Sequence, residues 1–394
     1  MYLGTRAQLI ATCMSSNRTK IDSLEGTRAV LAMVVFFAHS WLSFIGPLDG
    51  LEVTVFSRIV STASTLAVTC FFVLSGYVIA LSIMANRARN DGVFKPLDYF
   101  AARCFRILPP LLVTMGLCWL LAMGLGLVGA TETNIVGAER ERFAVSLLPQ
   151  FVALVSVSVL GELEGGINGP LWSLLWEIRF YVFAGLLAVA AWGKGVSRVV
   201  GALGALVYAW LLELTDPLEL GIAVPLFVYF GLGAVVALIK PGVMTRRSLV
   251  WSALMLLVAS AGIGWLVGED LFVESLRPAS ISLEMLTAMW FVLVILAVQQ
   301  LHWLAGLAPL GAVSYTLYIL HFPVLQAMYF VLANHAPGAL QGAGVWLTWP
   351  VATMVTLWVC GAVGRAVEQP AAQRAFVAAL VNAGDRRSRV TSRS

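Results

Sequence analysis

The sequence predicts an all-α fold, a polytopic integral membrane bundle of about ten transmembrane helices. Of the 394 residues 60% are hydrophobic and only 12% charged, and mean hydropathy is +0.88, which is more apolar surface than a water-soluble fold can bury. Apolar runs of about 20 residues, each able to cross a hydrocarbon core of roughly 30 Å as a helix, recur from Ala29 to the neighbourhood of Val367. Basic residues punctuate those runs instead of forming one block. The net charge of +4 therefore reads as topology signals and not as a nucleic-acid surface.

Windowed hydropathy places helices at about 27–46, 60–84, 107–130, 171–193, 196–214, 218–239, 247–267, 281–301, 310–333 and 343–366. An eleventh apolar stretch, Phe143 to Leu160, is short and carries Pro149 and Gln150 near its middle. The positive-inside rule decides it. With ten spans and a cytoplasmic N-terminus, 20 of the 25 basic residues fall on the cytoplasmic side, while acids such as Glu162, Asp216 and Glu269 collect outside. Counting 143–160 as a span would put Lys194, Lys240, Arg246 and Arg247 outside. The stretch is therefore expected to be an external interfacial or re-entrant helix within an external element of residues 131–170.

The chain divides into a polar cytoplasmic segment (1–20), a membrane domain (21–370) and a basic cytoplasmic tail (371–394). Both termini are expected in the cytoplasm, and no cleaved signal peptide is indicated. The tail can lie against anionic lipid. Five scattered cysteines show no metal-ligand or disulfide spacing, so no metal is expected.

Ionisable residues inside spans are costly and mark cavities or partners. There are few: His39, Glu177, Arg179, Glu284 and His321. Glu284 lies near the external boundary, where a structural or solvated role is expected. Arg28 and His39 are 11 residues apart, about three helical turns, and so share one face. His39, Glu177 and His321 come out at roughly 15 to 22 Å from the cytoplasmic ends of their spans, so three spans can converge on one polar chamber. In DYFAARCFRILPP (98–110), Arg103 and Arg106 share a helix side before Pro109 and Pro110, and suit either membrane anchoring or a phosphate site. In FFVLSGY (71–77), Ser75 and Gly76 interrupt an apolar run where a helix or a ligand can approach closely.

Together these motifs resemble the acyltransferase type 3 family of membrane O-acyltransferases. The resemblance runs through IDSLEGTRAVLAMVVFFAH (21–39), FFVLSGY, YFAARCFRILPP (99–110), PLWSLLWEIRFY (170–181), GAVSYTLYILHFPV (311–324) and VEQP (367–370). It implies transfer of an acyl group, most often acetyl from acetyl-CoA, to a hydroxyl of a carbohydrate, lipid-linked glycan or small-molecule acceptor at the inner membrane. His39 takes the family's catalytic position as general base or acyl carrier, with Arg28 paired to it and Glu177 orienting the imidazole. Arg28, Arg103, Arg106, Ser75 and Gly76 fall where the acyl-CoA binds, with Ser75 a donor to the thioester oxyanion. Trp172, Tyr181, Tyr315, Tyr318 and His321 line the substrate chamber. Thr69 and Cys70 depart from the acid many members carry before FF, and Arg179 is unusual after Glu177. A stand-alone membrane module is expected. The alternative class is a proton-coupled secondary transporter with buried His and Glu as a relay, which predicts inverted repeats that the sequence does not display.

Overall fold

The computed structural model describes residues 2–49, 54–128, 168–215, 220–239, 277–297 and 301–368, with 247, 251, 252, 254 and 255. No strand occurs among them. The helices are α1 (Tyr2–Phe44), α2 (Val55–Arg89), α3 (Pro96–Leu127), α4 (Leu171–Trp192), α5 (Val196–Thr215), α6 (Leu220–Val236), α7 (Arg277–Ala297), α8 (Ser314–His335) and α9 (Gly342–Val367). A 3₁₀ segment, His302–Leu307, runs into a one-turn helix, Ala308–Gly311.

Among the described residues six helices are long and apolar enough to cross a bilayer: Ile21–Leu48, Val55–Arg89, Pro96–Leu127, Leu171–Trp192, Ser314–His335 and Gly342–Val367. A seventh span results if Leu283–Ala297 and His302–Gly311, which meet at 92°, are halves of one broken crossing. Val196–Leu211 and Val224–Val236 are shorter apolar helices, the first ending its apolar run just before Glu213. The described residues thus give fewer spans than the expected ten. Most of the expected span 247–267, and the expected external element 131–170 up to residue 167, lie outside them. Two boundaries also move. Residues 2–20 continue the helix of the first span, and α3 runs unbroken through Pro109 and Pro110, joining the basic segment to its span. The carbonyls those prolines leave without helical donors belong to Phe105 and Arg106, two exposed residues.

The chain forms two compact units. The first comprises Met1–Ala38, Arg58–Pro96 and Ser173–Gly311. Small residues set its helix crossings: a Cβ on Gly76 would stand 1.9 Å from the carbonyl oxygen of Phe230, and one on Gly233 1.8 Å from that of Val73. Backbones of α2 and α6 therefore touch at two successive points. Gly26 and Gly311 do the same where α1 meets the segment His302–Gly311, against Leu304 and Glu25.

The second unit comprises His39–Ser57, Leu97–Trp172 and Ala312–Ser394. On α9 the small buried residues Ala352, Thr356, Cys360 and Gly364 recur every four positions, and Gly364 fits against Val313 and Thr316 at the start of α8. Leu347, Val351, Met354 and Trp358 form the opposite stripe, with Trp358 71% exposed. That face suits lipid and not water. On α8, Pro323 supplies no N–H to the carbonyl of Ile319, and the buried Asn168 amide donates to it instead at 2.6 Å.

Candidate active site

His39 and His321, distant in sequence, meet within the second unit. His39 Nδ1 lies 2.8 Å from His321 Nε2. The rings are coplanar to 9° with centroids 5.1 Å apart, the separation of two imidazoles joined edge to edge through their nitrogens and not laid face on face. His321 is fully buried, and its Nδ1 donates to the carbonyl of Leu317, one turn back on α8, at 2.8 Å. His39 is half-buried, and its Nε2 has no hydrogen-bond partner among the described residues. Phe322 packs edge-on against the His39 ring at 5.4 Å. Of the three residues expected to converge, His39, Glu177 and His321, the two histidines meet here.

The same unit anchors this pair. Ser40, next to His39, contacts Thr353 at 2.5 Å and accepts from Trp349 Nε1 at 2.9 Å. One turn on, Ser43 accepts from Gln326 at 3.2 Å. Tyr318 donates to the carbonyl of Pro170 at 3.3 Å, and Tyr315 to that of Ile107 at 3.4 Å. These phenols tie α8 to backbone carbonyls. Trp172 is partly exposed at the start of α4. On α3, Arg106 is exposed, while Arg103 sits with its guanidinium 6.0 Å from the Tyr99 ring.

In the first unit Glu177 Oε1 accepts hydrogen bonds from both Ser75 and Tyr181, whose oxygens are 3.0 Å apart. The Nδ1 of His39 is taken by His321, so His321, and not Glu177, is the group seen to orient that imidazole. Ser75 directs its proton to Glu177. Gly76 receives the backbone of α6, the helix approach that was one of its two expected readings. Arg28 pairs with Glu25 at 2.5 Å, one turn back on α1. Arg179, which departs from the family pattern, is buried with its guanidinium 4.4 Å over Trp176. Glu284 accepts from Tyr229 at 3.0 Å.

Sequence reasoning passed over Asn168 and Phe322. The signal for Asn168 was the Asn-Gly-Pro turn that opens the fourth helix together with a proline two residues after His321.

Residues 21–365 match the family described as an acyltransferase domain, acyltransferase type 3. BcsY of Komagataeibacter xylinus, a protein named as a membrane-bound transacylase, is 24% identical over 350 residues, covering 84% of this chain and 78% of its own. No solved structure matches the chain significantly.

Proposed function

The chain belongs to the acyltransferase type 3 family, and from that premise we propose that it moves an acyl group, acetyl first among the candidates, from a cytoplasmic acyl-CoA to a hydroxyl of a glycan, lipid-linked or small-molecule acceptor. It is a multi-pass membrane protein of an acyl-transfer family, which favours this reading over a transporter. The observation that carries the assignment is His39: one ring nitrogen is held by His321, the other has no partner among the described residues, and the residue is half-buried within a span. That is the arrangement a base or nucleophile needs.

In the direct route His39 takes the proton of the acceptor hydroxyl as its oxygen attacks the thioester carbon. The C–S bond breaks, and the proton passes on to give CoA thiol, so the imidazole ends as it began. In the alternative route the imidazole attacks the thioester carbon and the C–S bond breaks with CoA leaving as thiolate. The acceptor oxygen then takes the acyl group as the N–acyl bond breaks, and its proton passes to the CoA sulfur. The exposed Arg106, with Arg103 one turn before it, supplies cations for the donor's phosphates at the end of α3. Under this reading the site works at the inner membrane with both termini cytoplasmic.

The test is CoA thiol release from acetyl-CoA by purified protein in lipid, with a panel of sugar and lipid-linked hydroxyl acceptors. His39→Gln should still bind acetyl-CoA and should lose release by at least about a hundredfold, the scale of general base catalysis. Normal release by His39→Gln removes the catalytic assignment. Failure of the parent to bind acetyl-CoA removes the donor.

A further inference from the structure

We propose that His321 is the positioning residue that holds the proton of His39 on Nδ1 and thereby leaves the reactive lone pair on Nε2. This rests on the reading of His39 as base or acyl carrier, and it says which nitrogen acts and what makes it act.

The backbone fixes the first proton. A carbonyl only accepts, so the 2.8 Å contact of His321 Nδ1 with Leu317 O places a proton on that nitrogen. A neutral imidazole has one donor and one acceptor, so His321 Nε2 holds a lone pair. The 2.8 Å contact to His39 Nδ1 then needs its proton from His39. With Nδ1 protonated, neutral His39 has its lone pair on Nε2, the nitrogen with no partner among the described residues. The order is thus Leu317 carbonyl, His321, His39, reacting atom.

Geometry holds this order in place. The rings are coplanar to 9°, so the Nδ1–H points along the plane of its acceptor. A ring flip of His39 would put Cδ2 where Nδ1 stands and break the bond to His321, and Phe322 edge-on at 5.4 Å, with Ser40 pinned by Thr353 and Trp349 on the adjacent residue, opposes it. His321 cannot swing away either, because it is fully buried on a helix whose opened turn at Pro323 is closed by Asn168. Its role is the one a carboxylate plays behind a catalytic histidine, performed by a neutral ring backed by a peptide carbonyl. When His39 takes the acceptor proton on Nε2, the positive charge is shared along the same N–H···N bond. No proton is lost from the pair, and the one taken up leaves with the CoA sulfur.

The chain has only four histidines, His39, His302, His321 and His335, so histidine labelled with ¹³C and ¹⁵N gives an assignable imidazole spectrum in bilayers. His39 is expected in the neutral form protonated on Nδ1, and in His321→Phe its proton should move to Nε2 or distribute over both nitrogens. His321→Gln, whose amide oxygen reaches toward the lost Nε2, should keep the parent form. In CoA release, His321→Phe should lower kcat at least about tenfold with the acetyl-CoA KM unchanged, and His321→Gln should recover part of the loss. Should the Phe variant fail to insert, the parent spectrum and the Gln variant still decide. His39 protonated on Nε2 in the parent, or unmoved in His321→Phe, overturns the assignment. Activity in His39→Gln would overturn the reading beneath it and leave the tautomer result standing.

Discussion

Glu368, just past the end of α9, accepts a 2.6 Å hydrogen bond from the backbone amide of Thr316 in the first turn of α8. A carboxylate at a helix N-terminus completes donors that the helix cannot satisfy itself. It also ties the end of the last span to the helix that carries His321. Burial pushes its carboxyl up to about 6, while bonds from Thr316, the charge of Arg106 and the Tyr315 amide hold it from rising further. A carboxyl raised from 4.5 favours the protonated folded state. Its contribution to stability is full below pH 4.5 and is lost as pH rises through about 6. Glu368→Gln keeps an acceptor for the amide and cannot ionise. Thermal unfolding should therefore match the parent near pH 4.5 and exceed it at pH 7 by on the order of 1 kcal/mol. Equal pH profiles for the two proteins would mean the carboxyl does not titrate in this window.

The fold class was legible because a membrane helix announces itself in about 20 apolar residues whatever it packs against. The number of crossings was less so. The break between Ala297 and His302 falls at the end of the expected span 281–301, and the 92° turn of His302–Gly311 beyond it accompanies contacts such as Gly26 on Leu304, which no local pattern encodes. Depth along a span follows from rise per residue, so the meeting of His39 and His321 was foreseeable. That His321, and not Glu177, would take Nδ1 was not. Depth fixes one coordinate, and which helix stands beside which is decided by small residues such as Gly364 and Gly233, recognisable only once their neighbours are known.

The crossing of α2 and α6 predicts a severe cost for the smallest possible side chain. Gly76→Ala places a methyl 1.9 Å from the Phe230 carbonyl oxygen, and neither partner is a flexible side-chain tip. Destabilisation above about 4 kcal/mol, seen as loss of folded protein on extraction, is the expected result. Gly338→Ala, which meets nothing within 4 Å, is the neutral control. A stable Gly76→Ala protein would contradict the backbone contact.

Donor binding at the end of α3 is tested by Arg106→Ala. The residue is exposed, so its loss should leave stability nearly unchanged while weakening acetyl-CoA binding about tenfold or more, as loss of a charge-assisted phosphate contact does. The deficit should shrink with an acyl-pantetheine donor that lacks the nucleotide phosphates. Undiminished binding of the full donor would make Arg106 a membrane anchor.

Glu177 offers the sharpest separation of geometry from charge. Its Oε1 gathers the hydroxyls of Ser75, on α2, and Tyr181, one turn along α4. A glutamine oxygen can accept both bonds, so Glu177→Gln should keep the cluster and stay within about 1 kcal/mol of the parent. Glu177→Ala removes the acceptor that Ser75 and Tyr181 share, leaving their 3.0 Å contact with each other, and should cost on the order of 2 kcal/mol. Because the Nδ1 of His39 is already held by His321, the charge of Glu177 is not needed to fix that tautomer. Glu177→Gln should therefore retain CoA release within about tenfold of the parent, far from the loss expected of His39→Gln. A Gln variant as stable as the parent but as inactive as His39→Gln would show that the negative charge itself serves the reaction, and that holding Ser75 and Tyr181 is its lesser task.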